Sequence, residues 1–175
     1  MAFKRTATEQ IWQGRIAGVR VDTFRYDDGE EAKREIVSHP GAVTILPFDG
    51  EHVWLVRQPR EPVGEQSLLE LPAGKLDVEG EAPEATARRE LAEEIGKGAR
   101  SWRHLLSFYN SPGLLTEKHD LYLAEDLYES EAEADENERI EVVSLPVGEL
   151  AATIATIKDA KTLIGLLWLQ SHLHR

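Results

Sequence analysis

Residues 74–96 read Gly74-Lys-Leu-Asp-Val-Glu-Gly-Glu81-Ala-Pro83-Glu-Ala-Thr-Ala-Arg-Arg89-Glu90-Leu-Ala-Glu93-Glu94-Ile-Gly96, and the interpretation of the whole chain turns on this stretch. Pro83 suits the first turn of a helix, and Gly96, with Gly98 behind it, suits its end. At about 100° per residue, Glu90, Glu93 and Glu94 share one arc of that helix, roughly 100° wide. Leu91 and Ile95 lie beside the arc as a stripe to bury, with Ala87 at its edge. Like charges three and four residues apart repel by about 0.2–0.5 kcal/mol per pair, and carboxylates near a helix C-terminus oppose the macrodipole. Two arrangements answer this cost: a solvated face on which Arg88 and Arg89 pair with the glutamates, or a bound divalent cation. Carboxylate oxygens without thiols or clustered histidines suit a hard ion, Mg2+ or Mn2+.

Working outward, the segments before the helix read mostly as strands. Alternation runs through Ile16–Tyr26, and Asp27-Asp28-Gly29 marks a turn before Lys33–Ser38. Val43–Pro47 and Val53–Gln58 flank Asp49-Gly50-Glu51, a tight-hairpin signal. Leu68–Leu71 is a short strand ending at Pro72-Ala73-Gly74. After the helix, Trp102–Tyr109, Asp120–Ala124 and Arg139–Leu145 read as strands, followed by helices over 146–156 and 159–172. The second of these carries a Leu163/Leu166/Leu169/Leu173 stripe. Strands and helices mix without regular βαβ alternation, which predicts an α+β fold or three-layer sandwich. An acidic stretch from Glu125 to Glu138 has no apolar run and reads as a solvated surface loop, although long loops without structure of their own are often functional.

Composition bounds the chemistry. The 175 residues, 41% of them hydrophobic, suffice for a buried core. The absence of cysteine excludes disulfide frameworks, thiolate metal sites and cysteine nucleophiles. A net charge of −12 disfavours broad binding to nucleic acid or anionic membranes. A small anionic substrate stays open, because a bound cation can reverse the local field. Met1–Gln10 has no apolar stretch behind its cations, so no secretory signal is expected, and Leu163–Leu169 is too short to cross a bilayer. These features predict a cytoplasmic protein. None of the six histidines pairs at i,i+4, and neither a Gly-x-Ser-x-Gly elbow nor a Walker phosphate loop is present.

The spacing of the opening stretch resembles the Nudix box, Gly-x5-Glu-x7-Arg-Glu-apolar-x-Glu-Glu-x-Gly-apolar. From Glu81 the match runs through seven residues to Arg89, Glu90, Leu91, Glu93, Glu94 and Gly96. Two positions depart: six residues rather than five separate Gly74 from Glu81, and Lys97 replaces the final apolar residue. The resemblance extends over nearly the whole chain and is strongest to ADP-ribose pyrophosphatases. Gly14-Arg15-Ile16, Val56-Arg57-Gln58-Pro59-Arg60, Leu69-Glu70-Leu71-Pro72-Ala73-Gly74 and Ser111-Pro112-Gly113 carry it, the last placing a proline 16 residues beyond Gly96.

That resemblance implies an α/β/α sandwich with a mixed sheet over 41–175, preceded by an antiparallel strand segment over 1–40. It implies metal-dependent hydrolysis of ADP-ribose to AMP and ribose 5-phosphate. The alternatives are another nucleoside diphosphate sugar or a non-catalytic ADP-ribose sensor, which the intact carboxylate set disfavours. By the same resemblance Glu90 and Glu94 are the principal metal ligands, with Glu93 and the Ala73 carbonyl completing the set. Arg89 orients these carboxylates through charge-assisted hydrogen bonds, and Glu81 holds the loop–helix geometry. In the acidic loop, Glu136 is the base that activates water and Glu138 a further metal contact, although the two could exchange roles. Arg60 reaches a phosphate, and Pro112 marks the substrate loop. Arg15, Ile16 and Glu35 read adenosine across the interface of a homodimer with exchanged N-terminal strands, and Glu117 binds the terminal ribose. Ordinary core for Ile16, and exposed surface for Arg60 and Glu117, are the competing assignments.

Overall fold

The computed structural model describes residues 2–130 and 139–173. The chain forms two compact units, one taking in the residues up to Gly41 together with Phe108–Lys118, the other Ala42–Ser107 and the residues from His119 onward.

The first unit is an antiparallel sheet of β1 (Phe3–Gln13), β2 (Gly18–Tyr26) and β3 (Glu31–Ser38), in that order. The turn signal before β3 is realised: Gly29 takes φ 88°, a conformation that costs glycine nothing, and its N–H donates to the Tyr26 carbonyl at 3.0 Å. β1 has no apolar alternation to announce it and is exposed at every position. Its order comes from backbone pairing with β2 and from Phe3, whose ring meets Phe24 edge-on at 5.4 Å. Beyond β3 the chain from Ser111 to Thr116 lies along the sheet. Val37 N–H donates to the Leu114 carbonyl at 2.9 Å, and Thr116 N–H to the Val37 carbonyl at 3.0 Å.

The second unit is built on β4 (Ala42–Pro47), β5 (His52–Arg60), β6 (Glu65–Glu70), β7 (Ala73–Lys75), α1 (Pro83–Ile95), β8 (Lys97–Tyr109), β9 (Lys118–Glu129), β10 (Glu141–Pro146), α2 (Leu150–Ile154) and α3 (Ala160–Leu173). One sheet runs β7-β4-β9-β8 and is mixed, with β4 parallel to β9 and antiparallel to β7. The other runs β10-β5-β6 and is antiparallel. β4 is buried throughout because helices cover both its faces. Val43 and Ile45 pack with Ala87, Leu91 and Ile95 of α1. The alternate residues Thr44 and Leu46 point the other way, as Leu121 does on the parallel neighbour β9. On that side α3 comes so close that a Cβ on Gly165 would overlap Leu71 Cδ1. The expected α/β/α sandwich with an N-terminal antiparallel strand group is what the chain forms.

Three local expectations change. Asp49-Gly50-Glu51 does turn tightly, with Gly50 at φ 98° and Asp49 Oδ1 accepting the Glu51 and His52 amides at 2.9 and 2.7 Å. Yet β4 and β5 do not form a hairpin: after a single bridge between Phe48 and Val53 they enter different sheets. Each already has two other strand partners. The helix expected over 146–156 is a 3-10 turn, Val147–Glu149, and one α-helical turn, Leu150–Ile154. In α3 the buried face is Lys161, Thr162, Gly165, Leu166 and Leu169: Leu166 and Leu169 of the expected stripe are buried, Leu163 and Leu173 are half-buried, and the face turns toward Gly165, whose lack of a side chain permits the close approach and which hydrophobicity does not flag. No helix among the described residues is long and apolar enough to cross a membrane.

Candidate active site

The site is organised by α1. Its first turn lacks a side-chain cap; instead Thr86 Oγ1 donates to Glu81 Oε2 at 2.8 Å, joining the loop to the helix. Gly96 ends it in the left-handed conformation, its N–H donating to the Ala92 carbonyl at 3.0 Å. Burial of Ala87, Leu91 and Ile95 sets the rotation of the helix, and Glu90, Glu93 and Glu94 then fall on the flank beside β7. Two backbone contacts hold that flank in register. Ala73 N–H donates to Glu94 Oε2 at 3.2 Å, and Gly74 lies so tightly against Glu90 that a Cβ there would overlap its Cγ, Cδ and Oε1.

Arg89 is the hub. Its Nη1 donates to Glu90 Oε1 at 2.9 Å and to Glu93 Oε2 at 2.8 Å, while Nε and Nη2 reach the two Glu81 oxygens at 3.4 and 3.3 Å. Burial alone would lower the Arg89 pKa, but hydrogen bonds to Glu81 and Glu93 and the charge of Glu90 raise it well above its usual value. The Arg89 and Thr86 hydrogen bonds hold the Glu81 carboxyl below the usual carboxylate range. Of the two answers to like-charge repulsion on this face, the pairing with arginine is therefore present in the protein itself. Arg88 takes no part in it and pairs with Glu84 at 2.8 Å. Among the described residues no three His, Asp or Glu side chains converge as a metal-ligand set. Arg89 draws the Glu90 and Glu93 carboxylates, and Glu94 is turned to the Ala73 amide. The donors on offer fit a hard cation all the same, because every one is a carboxylate or backbone oxygen.

Arg60, at the end of β5, is half-exposed and makes a two-point contact with Glu70: Nε to Oε1 at 2.6 Å and Nη2 to Oε2 at 2.9 Å. Glu70 is 1% exposed and also receives Lys161 Nζ. Burial pushes the Glu70 carboxyl up, but the Arg60 and Lys161 contacts more than reverse this and leave its pKa below 4.5. Such a group stabilises the fold above its unfolded pKa and ceases to do so as pH falls through its folded value. The unfolding free energy of the wild type minus that of Glu70→Gln should therefore shrink as the medium is acidified below about pH 4.5. Urea titrations at several pH values check this, and a difference that grows on acidification would contradict it. Glu70, Asp159, Lys161 and Thr162 are functional-site neighbours that carry no role in the sequence alone. One signal was present: Asp159 precedes Thr162 by three residues at a helix start, and its carboxylate caps Thr162 N–H at 3.0 Å.

In the other unit, Arg15 and Ile16 lie on the turn between β1 and β2, where Gly14 N–H donates to the Ala17 carbonyl at 2.8 Å. Ile16 is 43% exposed, so it is not core. Glu35 is exposed on β3 opposite Val21. Its neighbours Arg34 and Ile36 point to the reverse face and, with Phe3, Phe24 and Pro112, line a cavity of about 310 Å3. Glu35 and the Pro112 cavity are thus on opposite faces of the sheet. Glu117 is held rather than loose: it accepts Asn110 Nδ2 at 2.7 Å and lies 3.5 Å from His39 Nδ1. Glu136 and Glu138 lie outside the described residues. Ser107, His104 and Asp120 sit together as a hydrolytic triad would, yet Ser107 Oγ donates directly to Asp120 Oδ1, and His104 turns one and the same nitrogen, Nε2, to both Ser107 Oγ and that oxygen. No base relay results, because the relay needs the two ring nitrogens to face different partners.

A model of the NUDIX domain matches residues 38–164. The ADP-ribose pyrophosphatase of Bacillus subtilis (strain 168) is 39% identical over 172 residues, covering 95% of this chain and 92% of its own. The methanol dehydrogenase activator of Bacillus methanolicus is 41% identical over the same span and coverage. A crystal structure of an ADP compounds hydrolase superposes with a TM-score of 0.85 at 24% identity, over 99% of this chain and 95% of that one.

Proposed function

The chain belongs to the Nudix family, and from that premise we propose that it is a metal-dependent ADP-ribose diphosphatase, releasing AMP and ribose 5-phosphate. The observation that carries this is the lock between β7 and α1, in which Ala73 N–H and the Gly74 backbone fix Glu94 and Glu90 against one strand end. Glu90, Glu93, Glu94 and the Ala73 carbonyl would hold the cation, Mg2+ with Mn2+ as a substitute. When bound, such an ion neutralises pyrophosphate charge and lowers the pKa of a water. Arg89 keeps the carboxylates oriented, and Arg60 binds a phosphate. Glu136 serves as the base and Glu138 as a further metal contact. A substrate panel tests the assignment: with Mg2+, turnover of ADP-ribose should exceed that of UDP-glucose, GDP-mannose, NADH and 8-oxo-dGTP, and EDTA should abolish it. Preference for another sugar nucleotide would move the chain within the family, whereas ADP-ribose binding without turnover would make it a sensor.

The assembly that suits this reading is a cytoplasmic homodimer. Its 1–40 segment would supply Arg15, Ile16 and Glu35 to adenosine at the catalytic domain, 41–175, of the other subunit. Pro112 and Glu117 would face the substrate there. Support comes from β1, an edge strand exposed along its whole length, with Phe3, Ile11 and Trp12 all more than half exposed. Edges and apolar surface of that kind call for coverage by another chain. A mixed dimer of Ile16→Asp and Glu94→Gln subunits gathers both defects into one site and leaves the other whole. Activity should therefore recover in the heterodimer to about half the wild-type level. An active monomer by light scattering refutes the assembly; a dimer without recovery refutes only the shared site.

A further inference from the structure

A buried ion cluster joins the start of α3 to the strand end that carries Arg60. Glu70 takes two guanidinium nitrogens of Arg60 and the ammonium of Lys161. Lys161 Nζ also contacts Asp159 at 2.9 Å. Asp159 is bonded by the Thr162 hydroxyl at 2.5 Å, and that hydroxyl in turn accepts Leu71 N–H at 2.7 Å. Two carboxylates and two cations are thus gathered in one place, with Glu70 and Lys161 almost fully buried. Stability does not require this, since taking charges out of water costs about as much as their attraction returns, and apolar side chains would serve as well. Geometry gives the cluster a different use.

A two-point contact fixes the plane of a guanidinium, which a single bond does not. Here Nε and Nη2 are committed to Glu70, and Nη1 takes no part in that contact. The Arg60 side chain is 41% exposed while that of Glu70 is 1% exposed, so the pair has an inner and an outer end. Glu94 on the metal-binding helix and Asp159 both contribute to the field at Arg60. A lone Glu70 would repel an incoming phosphate, and Lys161 cancels that charge from behind.

We propose that Glu70 is a positioning residue: it holds Arg60 with one guanidinium edge turned outward to a substrate phosphate, and Lys161 neutralises Glu70 so that the phosphate is not repelled. The inference rests on the role given to Arg60 above. It is tested with Glu70→Gln, Arg60→Ala and the double variant. Affinity for inorganic pyrophosphate, the group shared by all candidate substrates, is measured by calorimetry in EDTA, alongside KM and kcat with Mg2+ and thermal unfolding. Glu70→Gln should weaken pyrophosphate binding about tenfold and raise KM by a similar factor, with a smaller change in kcat. Arg60→Ala should do at least as much, and the double variant no more than Arg60→Ala. Unchanged affinity in Glu70→Gln, or a further loss in the double variant, overturns the proposal. If Glu70→Gln does not fold, Lys161→Met decides instead: an uncompensated carboxylate behind Arg60 should weaken pyrophosphate binding, and unchanged affinity overturns the idea. Loss of coupling between Glu70 and Arg60 would sink this inference alone, whereas a coupled pair in a protein inert toward ADP-ribose would sink only the substrate assignment.

Discussion

Glu94→Gln and Glu90→Gln are each expected to lose turnover by about 100-fold or more, above the ~10–100-fold cost of losing a supporting contact at a metal site. Both variants should remain folded. Glutamine at 94 still offers an oxygen to Ala73 N–H, and glutamine at 90 still accepts from Arg89, so the contacts that seat the helix persist. What is lost is charge, and on a face with three neighbouring carboxylates its removal relieves repulsion. Steady-state rates across a Mg2+ titration, read beside thermal unfolding, separate the two effects. Turnover close to wild type in both variants would remove the basis for assigning these residues to the metal.

Gly74→Ala should approach the same loss by a different route. Gly74 is not among the residues at positive φ, so alanine fits the backbone there without strain. The added methyl overlaps the Glu90 side chain instead, and Glu90 must leave its place beside β7. A drop in turnover of about 10–100-fold follows, with a stability cost of about 1–3 kcal/mol if the neighbours cannot yield. The control is Gly74→Ala in the Glu90→Gln background, which should be little slower than Glu90→Gln alone because both act on one side chain. Gly74→Ala at the wild-type rate would show that Glu90 works equally well from elsewhere.

How much of this was legible beforehand follows from the range of each interaction. Glu90, Glu93 and Glu94 could be set on one helix face because that relation spans four residues and depends only on helical period. The turn at Gly29 and the helix end at Gly96 are likewise local, fixed by a residue that tolerates positive φ. β1 fell within the strand segment that the family resemblance implied over 1–40, but the residues themselves did not announce it, because Phe3–Gln13 alternates nothing; a strand exposed on both faces leaves no hydrophobic trace. The hairpin at Asp49-Gly50-Glu51 misled for the opposite reason: its turn chemistry is sound, but strand partners far along the chain decide which sheet each arm joins. Glu70 and Lys161 are 91 residues apart, and neither carries a sign of the other. Family resemblance supplied Arg60 but not the carboxylate behind it.

Arg89 has a consequence for how the protein is made. Because one guanidinium already serves Glu81, Glu90 and Glu93, repulsion on the acidic helix is offset from within the chain, and folding is expected to proceed before an ion is met. Domains whose charge is balanced only by metal must wait for it, unfolded, and are exposed to proteases whenever supply runs short. This chain is expected to escape that dependence. On the metal-dependent function proposed above, scarcity of the ion would then leave a pool of folded but idle molecules, ready to work as soon as it returned.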